Sequence, residues 1–162
     1  MTARAPGRSS VRAIAAGGLI AGTLDLVFAI LVYGVARGGT GAGVLRSIAS
    51  GWLGKRAFEG GAPAAILGLA TQYLIAIGAA AVFYAASGFF PELRRRPVPA
   101  GIVFGAGLYV FMYRVVMPLS AIPFEPSFAP KALVPALAAH VFLIGLPIAL
   151  CAHRFGRSGE EP

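Results

Sequence analysis

The chain has 162 residues, of which 57% are apolar and only 12% charged, against about 25% charged in an ordinary soluble domain. With a mean hydropathy of +0.78, it carries too little polar surface to clothe a water-soluble domain of this size and calls for an apolar solvent. The formal net charge of +8 suits anionic lipid; the basic residues are scattered rather than gathered on one face with aromatics, which argues against nucleic acid.

The first continuous apolar run, 13–36, follows Arg4, Arg8 and Arg12 and is interrupted only by Asp25. At about 1.5 Å per residue, roughly 20 residues cross a hydrocarbon layer of about 30 Å, so the run predicts a transmembrane helix. It is longer than a secretory h-region of roughly 7 to 15 residues and holds an acid at its midpoint, which favours a retained span over a cleaved signal ending near Gly34-Val35-Ala36. Gly18, Ala21, Gly22, Asp25 and Ala29 fall on one stripe, the face that close helix contact in lipid would use.

After a flexible stretch of Gly38-Gly39-Thr40-Gly41, residues Leu45, Ile48, Ala49 and Trp52 recur at helical spacing. This predicts a short amphipathic helix over about 42–57. Two placements fit it: in the membrane interface, with Trp52 at headgroup depth and Lys55 and Arg56 reaching phosphates, or packed over the mouth of the bundle.

The second run, 62–90, has Gln72 as its most polar member, on a stripe with Ala65, Gly68, Ala76 and Ala79. A compact turn of Pro91, Glu92, Arg94, Arg95, Arg96 and Pro97 leads into the third run, 98–118, with a Gly101-x-x-x-Gly105 contact and Arg114 near its end. Arg114 lies in helical phase roughly opposite the two glycines and is expected to snorkel outward, the alternative being a pair with Glu125 or Glu59. Tyr109 and Tyr113 read as an interfacial belt rather than a ligand cage.

Pro123, Pro126 and Pro130 punctuate the link to the fourth run, 132–152, which holds His140 on a stripe with Leu133, Ala136 and Pro147. Pro147 lacks the amide that would bond the carbonyl of Leu143. The runs are continuous rather than alternating, which excludes transmembrane strands. The fold class is therefore all-α, a single membrane domain with four transmembrane helices and a short amphipathic helix after the first. Placing the termini inside gathers eight basic residues (Arg4, Arg8, Arg12, Arg94, Arg95, Arg96, Arg154 and Arg157) against five opposite (Arg37, Arg46, Lys55, Arg56 and Lys131), so both termini are expected in the cytoplasm.

Asp25, Gln72 and His140 stand at overlapping depths and form the candidate intramembrane cluster. Ionisable groups inside a bilayer are costly, on the order of 2.5 to 3.5 kcal/mol for aspartate on the insertion scale. The cluster therefore has two readings: a hydrogen-bond network that fixes helix register, or a site that relays protons or binds a cation. No catalytic constellation, phosphate loop or metal set is present: Cys151 is the single cysteine, and His140 and His153 lie about 20 Å apart along one helix. No enzyme activity, cofactor or soluble partner is expected. A structural or interaction component of the membrane, self-associating through its Gly-x-x-x-Gly faces, stands first; a small oligomeric carrier or channel subunit stands as the alternative.

The succession Gly22-Thr23-Leu24-Asp25, Ser47-Ile48-Ala49-Ser50-Gly51, Ala57-Phe58 with Gly60-Gly61, Met117-Pro118-Leu119-Ser120-Ala121-Ile122-Pro123, His140 and Gly145-Leu146-Pro147 resembles a group of small bacterial inner-membrane proteins without assigned function. The resemblance implies four helices and a bacterial plasma membrane, and singles out Asp25, residues 47–51, the turn 118–123 and His140 as site residues. It implies no activity, substrate or cofactor.

Overall fold

The computed structural model describes residues 8–125 and 128–156; Arg4, Pro126 and Arg157, named above, lie outside them. The described residues contain no strand, and four helices are long and apolar enough to cross a membrane: Ser9–Arg37, Gly61–Phe89, Pro97–Leu119 and Pro130–Phe155. The first and fourth extend beyond their apolar runs at both ends.

In chain order, α1 (Arg8–Ala29) runs on through a π-helical turn at Ile30–Gly34 and a 3-10 turn at Val35–Arg37. It is followed by α2 (Gly41–Leu53), a 3-10 turn at Gly54–Phe58, α3 (Gly61–Phe89) and the short α4 (Glu92–Arg95). The third long helix is α5 (Pro97–Phe111), a π-helical turn at Met112–Val116 and α6 (Met117–Leu119). The fourth joins α7 (Pro130–Ala139) to α8 (Leu146–Gly156) through a π-helical turn at His140–Gly145.

Two of these π-helical turns end one residue short of a proline. The amide of Met117 bonds the carbonyl of Met112, and that of Leu146 the carbonyl of Val141, and Pro118 and Pro147 come next. A proline ring presses on the carbonyl one turn back, and a widened turn relieves that pressure without breaking the helix. The interruption expected at Pro147 thus takes the form of a local change of pitch.

The glycine stretch after α1 is an ordered corner. Gly38 adopts the left-handed conformation (φ 73°), its amide bonds the Val35 carbonyl at 3.0 Å and that of Gly39 the Gly34 carbonyl at 2.9 Å, the pattern of a Schellman cap. Thr40 then caps α2, its hydroxyl accepting from the Gly43 amide at 3.1 Å. The flexibility expected for this stretch is corrected: two helix caps placed back to back leave it no slack.

Small residues set the packing. On α1, a Cβ added to Gly18 would lie 2.6 Å from the Cα of Ile77, and one on Gly22 would lie 3.0 Å from the ring of Tyr73. Between the third and fourth helices, Gly101, Gly105 and Gly145 meet backbone to backbone: a Cβ on Gly145 would lie 2.7 Å from the Cα of Gly105, and one on Gly101 2.8 Å from the Cα of Leu146. The Gly-x-x-x-Gly face is therefore filled within the chain, which corrects the expectation that this face is free for self-association.

The resulting order places α1 between α3 and the fourth helix, with α5 on the fourth helix's other side. At the end carrying the chain termini the helices converge on Ala80, Phe83, Ala100, Ile148 and Ala149, and the Phe83 and Phe104 rings meet edge to face at 5.1 Å. His153 Nδ1 donates to the Arg94 carbonyl at 2.6 Å and ties α8 to α4. At the opposite end α2 is packed into the protein: Ala49 and Ser50 are fully buried, and Gly68 of α3 sits directly against the Leu45 carbonyl.

Gly145→Ala is expected to destabilise the fold by about 1 to 3 kcal/mol, the usual range for overpacking. Gly107→Ala, at a position with open space around it, is expected to be neutral or slightly stabilising. Thermal unfolding of the two variants in detergent, side by side, checks the difference.

Candidate functional site

Toward the end opposite the termini, two cavities open around the expected cluster. One, of about 480 Å³, lies between the end of α1, α2 and the start of the fourth helix; the other, of about 700 Å³, lies between α3 and the end of α5. Asp25, Ser47, Ile48, Gln72, Tyr113, Phe124 and His140 line both, so the cavities meet at the polar residues.

Asp25 and Gln72 are in direct contact. Gln72 Nε2 donates to Asp25 Oδ2 at 2.8 Å and also approaches the Gly22 carbonyl at 3.4 Å, while the hydroxyls of Thr23 and Tyr73 bond at 2.9 Å beside them. Among the described residues no cationic side chain pairs with Asp25, whose carboxylate therefore keeps accepting capacity at the junction of the cavities.

His140 shares the cavity walls with Asp25 but is not bonded to it. Its Nδ1 donates to the carbonyl of Ala136 one turn back, at 2.9 Å, which fixes the ring and leaves Nε2 as its other polar atom. Rather than one three-way contact, the structure gives an Asp25–Gln72 pair and a separately held imidazole on a common chamber. Counting from Gly61 and Pro130, Gln72 and His140 lie about 15 Å along their helices by helical rise.

Aromatic rings complete the smaller chamber: Phe28, Tyr33, Tyr113 and Phe124 line it. The belt reading of Tyr109 and Tyr113 is corrected here. Tyr109 is 6% exposed, stacks on Tyr113 at 4.4 Å and meets the His140 ring edge to face at 5.4 Å. The π-helical turn at Met112–Val116 shifts the phase of Tyr113 relative to an ideal helix, an effect that simple periodicity does not carry. At the mouth of this chamber Arg37 lies over the Tyr33 ring at 5.1 Å.

The remaining candidates stand apart from the chamber floor. Arg114 is exposed and its guanidinium lies 5.3 Å over the Phe128 ring. Lys55 and Arg56 are exposed on the turn Gly54–Phe58. Trp52 is 64% exposed, and its Nε1 donates to Thr71 Oγ1 at 3.0 Å, about 15 Å along α3 from Gly61 by helical rise. The segments that carry the resemblance also meet here, since the Ala121 amide bonds the Gly51 carbonyl at 2.9 Å and Ser47, Gly51, Ser120 and Ile122 line the larger cavity with Asp25 and His140.

Trp52 is the single tryptophan, so its fluorescence reports this placement. In reconstituted vesicles, lipids brominated on the acyl chain are expected to quench it more strongly than quenchers held at the headgroup, and Thr71→Val is expected to shift its emission.

Searches with protein-family models, curated proteins and solved structures give no match to this chain, so its functional reading rests on the geometry of the chamber.

Proposed function

We propose that the chain is a multi-pass protein of a bacterial plasma membrane, with both termini cytoplasmic, that binds a cation in the chamber around Asp25 as a small carrier or channel subunit. The supporting observation is the chamber itself. Polar residues that only fix helix register are closed over by their neighbours, whereas Asp25, Gln72 and His140 line cavities within the range of about 300 to 1,000 Å³ typical of small-molecule sites.

The chemistry of the walls favours a cation. An unpaired carboxylate supplies charge, and the rings of Phe28, Tyr113 and Phe124 in the lining supply the negative quadrupole that attracts ammonium groups, worth about 0.5 to 2 kcal/mol per ring according to solvation; Tyr33 already carries Arg37 over its ring. Gln72 orients the carboxylate, and the imidazole of His140 offers a second, neutral acceptor. Arg37 at the mouth opposes simple diffusive entry of cations from that side. A subunit of this size completes a pathway across the membrane by oligomerising through surfaces other than the Gly101–Gly105 face.

The orientation rests on the eight basic residues that the sequence gives the terminal end (Arg4, Arg8, Arg12, Arg94, Arg95, Arg96, Arg154 and Arg157) against five opposite (Arg37, Arg46, Lys55, Arg56 and Lys131). A Lys55→Cys variant is accordingly expected to react with a membrane-impermeant maleimide in intact cells, and Arg95→Cys only after lysis.

The functional reading is tested by titrating the vesicle-reconstituted protein with tetramethylammonium by calorimetry. Saturable binding that weakens at least tenfold in Asp25→Asn, about 1.4 kcal/mol or more, with the variant still folded, supports it. Equal binding by both proteins, or none by either, returns the cluster to a purely structural role.

A further inference from the structure

The larger cavity has a property that a site for small inorganic cations does not need. Its floor is the Asp25–Gln72–His140 junction, but its walls are apolar, formed by α3 on one side and the end of α5 on the other. The residues at its rim, Leu74 and Ile75 of α3 and Phe111 and Val115 of the third helix, are large, apolar and exposed. The second and third helices touch at Phe83 and Phe104, and beyond that contact the cavity lies between them, with its exposed apolar rim on both.

Resting on the cation-binding reading above, we infer that the ligand is an amphiphilic amine: its ammonium group sits against Asp25 in the aromatic chamber, and its apolar chain lies in the lateral cleft between α3 and α5. Charge and shape both point to this occupant. The junction provides a carboxylate with no cationic partner among the described residues and ring faces for the head. The side opening provides an entry from the apolar layer that avoids Arg37 at the other mouth. An anionic amphiphile of the same length would bring like charge to Asp25 and is disfavoured. A water-soluble cation would leave the larger, apolar cavity without a partner.

Trp52 lines the same cleft and makes the test direct. The wild-type protein in phosphatidylcholine vesicles is titrated with dodecyltrimethylammonium carrying a nitroxide on its chain, and Trp52 fluorescence is followed. The expected result is saturable quenching that tetramethylammonium competes away, weakens at least tenfold in Asp25→Asn, and is retained in Asp25→Glu. Val115→Trp is avoided because it adds a fluorophore; Val115→Phe, which narrows the side opening, is expected to reduce quenching by the chain-bearing ammonium at least fivefold while leaving tetramethylammonium binding unchanged.

Three outcomes overturn the inference. Quenching that rises without saturation, or that an equally long nitroxide-bearing carboxylate reproduces, shows only apolar chains meeting the protein surface. Asp25-dependent binding of tetramethylammonium without saturable quenching by its long-chain counterpart removes the lateral ligand and leaves the cation site standing. Loss of both, with Asp25→Glu folded and equally inactive, removes the cation site as well.

Discussion

Gly145 lies so close to Gly101 and Gly105 that none of the three has room for a methyl group without displacing backbone. This contact is the constraint from which the candidate site follows. It holds the fourth helix against the third at one level, so that His140, one turn and more toward the chain's interior, is delivered beside Tyr109 and Tyr113. The equivalent close approach of Gly18 to Ile77 holds α1 on α3 and aligns Asp25 with Gln72. Where helices associate without hydrophobic expulsion, close backbone contact of this kind supplies the dispersion energy that a soluble core would draw from larger side chains.

The same contacts account for the cavity. Alanine and glycine draw the helices together at the end carrying the termini, where Phe83, Ile148 and Ala149 are fully packed. Toward the other end the π-helical turns before Pro118 and Pro147 change the pitch of the third and fourth helices, and α2 enters between the long helices against Gly68. Local proline chemistry is thus linked to a global result, since a change of pitch next to a tight contact redirects whatever follows it. Two of the polar side chains that line the opening are held by short, local bonds: His140 to Ala136 and Thr71 to Leu67. Such bonds satisfy donors from within one helix and leave the space between helices open.

Function depends on which polar groups are satisfied and which keep spare capacity. Gln72 ties Asp25 to α1's own backbone near Gly22 and leaves the rest of the carboxylate facing the chamber. On the proposed reading, an aromatic wall beside an incompletely satisfied acid is what selects ammonium chemistry, and an apolar cleft beside both is what selects a chain attached to it. These are separate physical requirements met on one set of helices.

Much of the fold was legible from the residues alone. Four apolar runs of spanning length, the stripe of Gly18, Ala21, Gly22 and Asp25, and the stripe of Gln72 with Ala76 and Ala79 are statements about length and helical period, and both properties are local. The same period placed Asp25, Gln72 and His140 toward other helices. Partner choice was not legible, because small residues mark a contact without naming what fills it: the Gly101–Gly105 face meets Gly145 of the same chain. The aromatic chamber was missed for a related reason. Tyr113 read as a belt residue because its position near a helix end was visible, whereas the π-helical turn before Pro118 that redirects it departs from the regular helical period. Trp52 was likewise recognised as important, and only the depth at which α2 packs brought its indole to Thr71. Sequence by itself determined which segments are helices and which faces are small or polar, since these follow from chain length and periodicity. Tertiary structure alone decided that those faces enclose a cavity, because a cavity exists only where several backbones converge at one end and separate at the other.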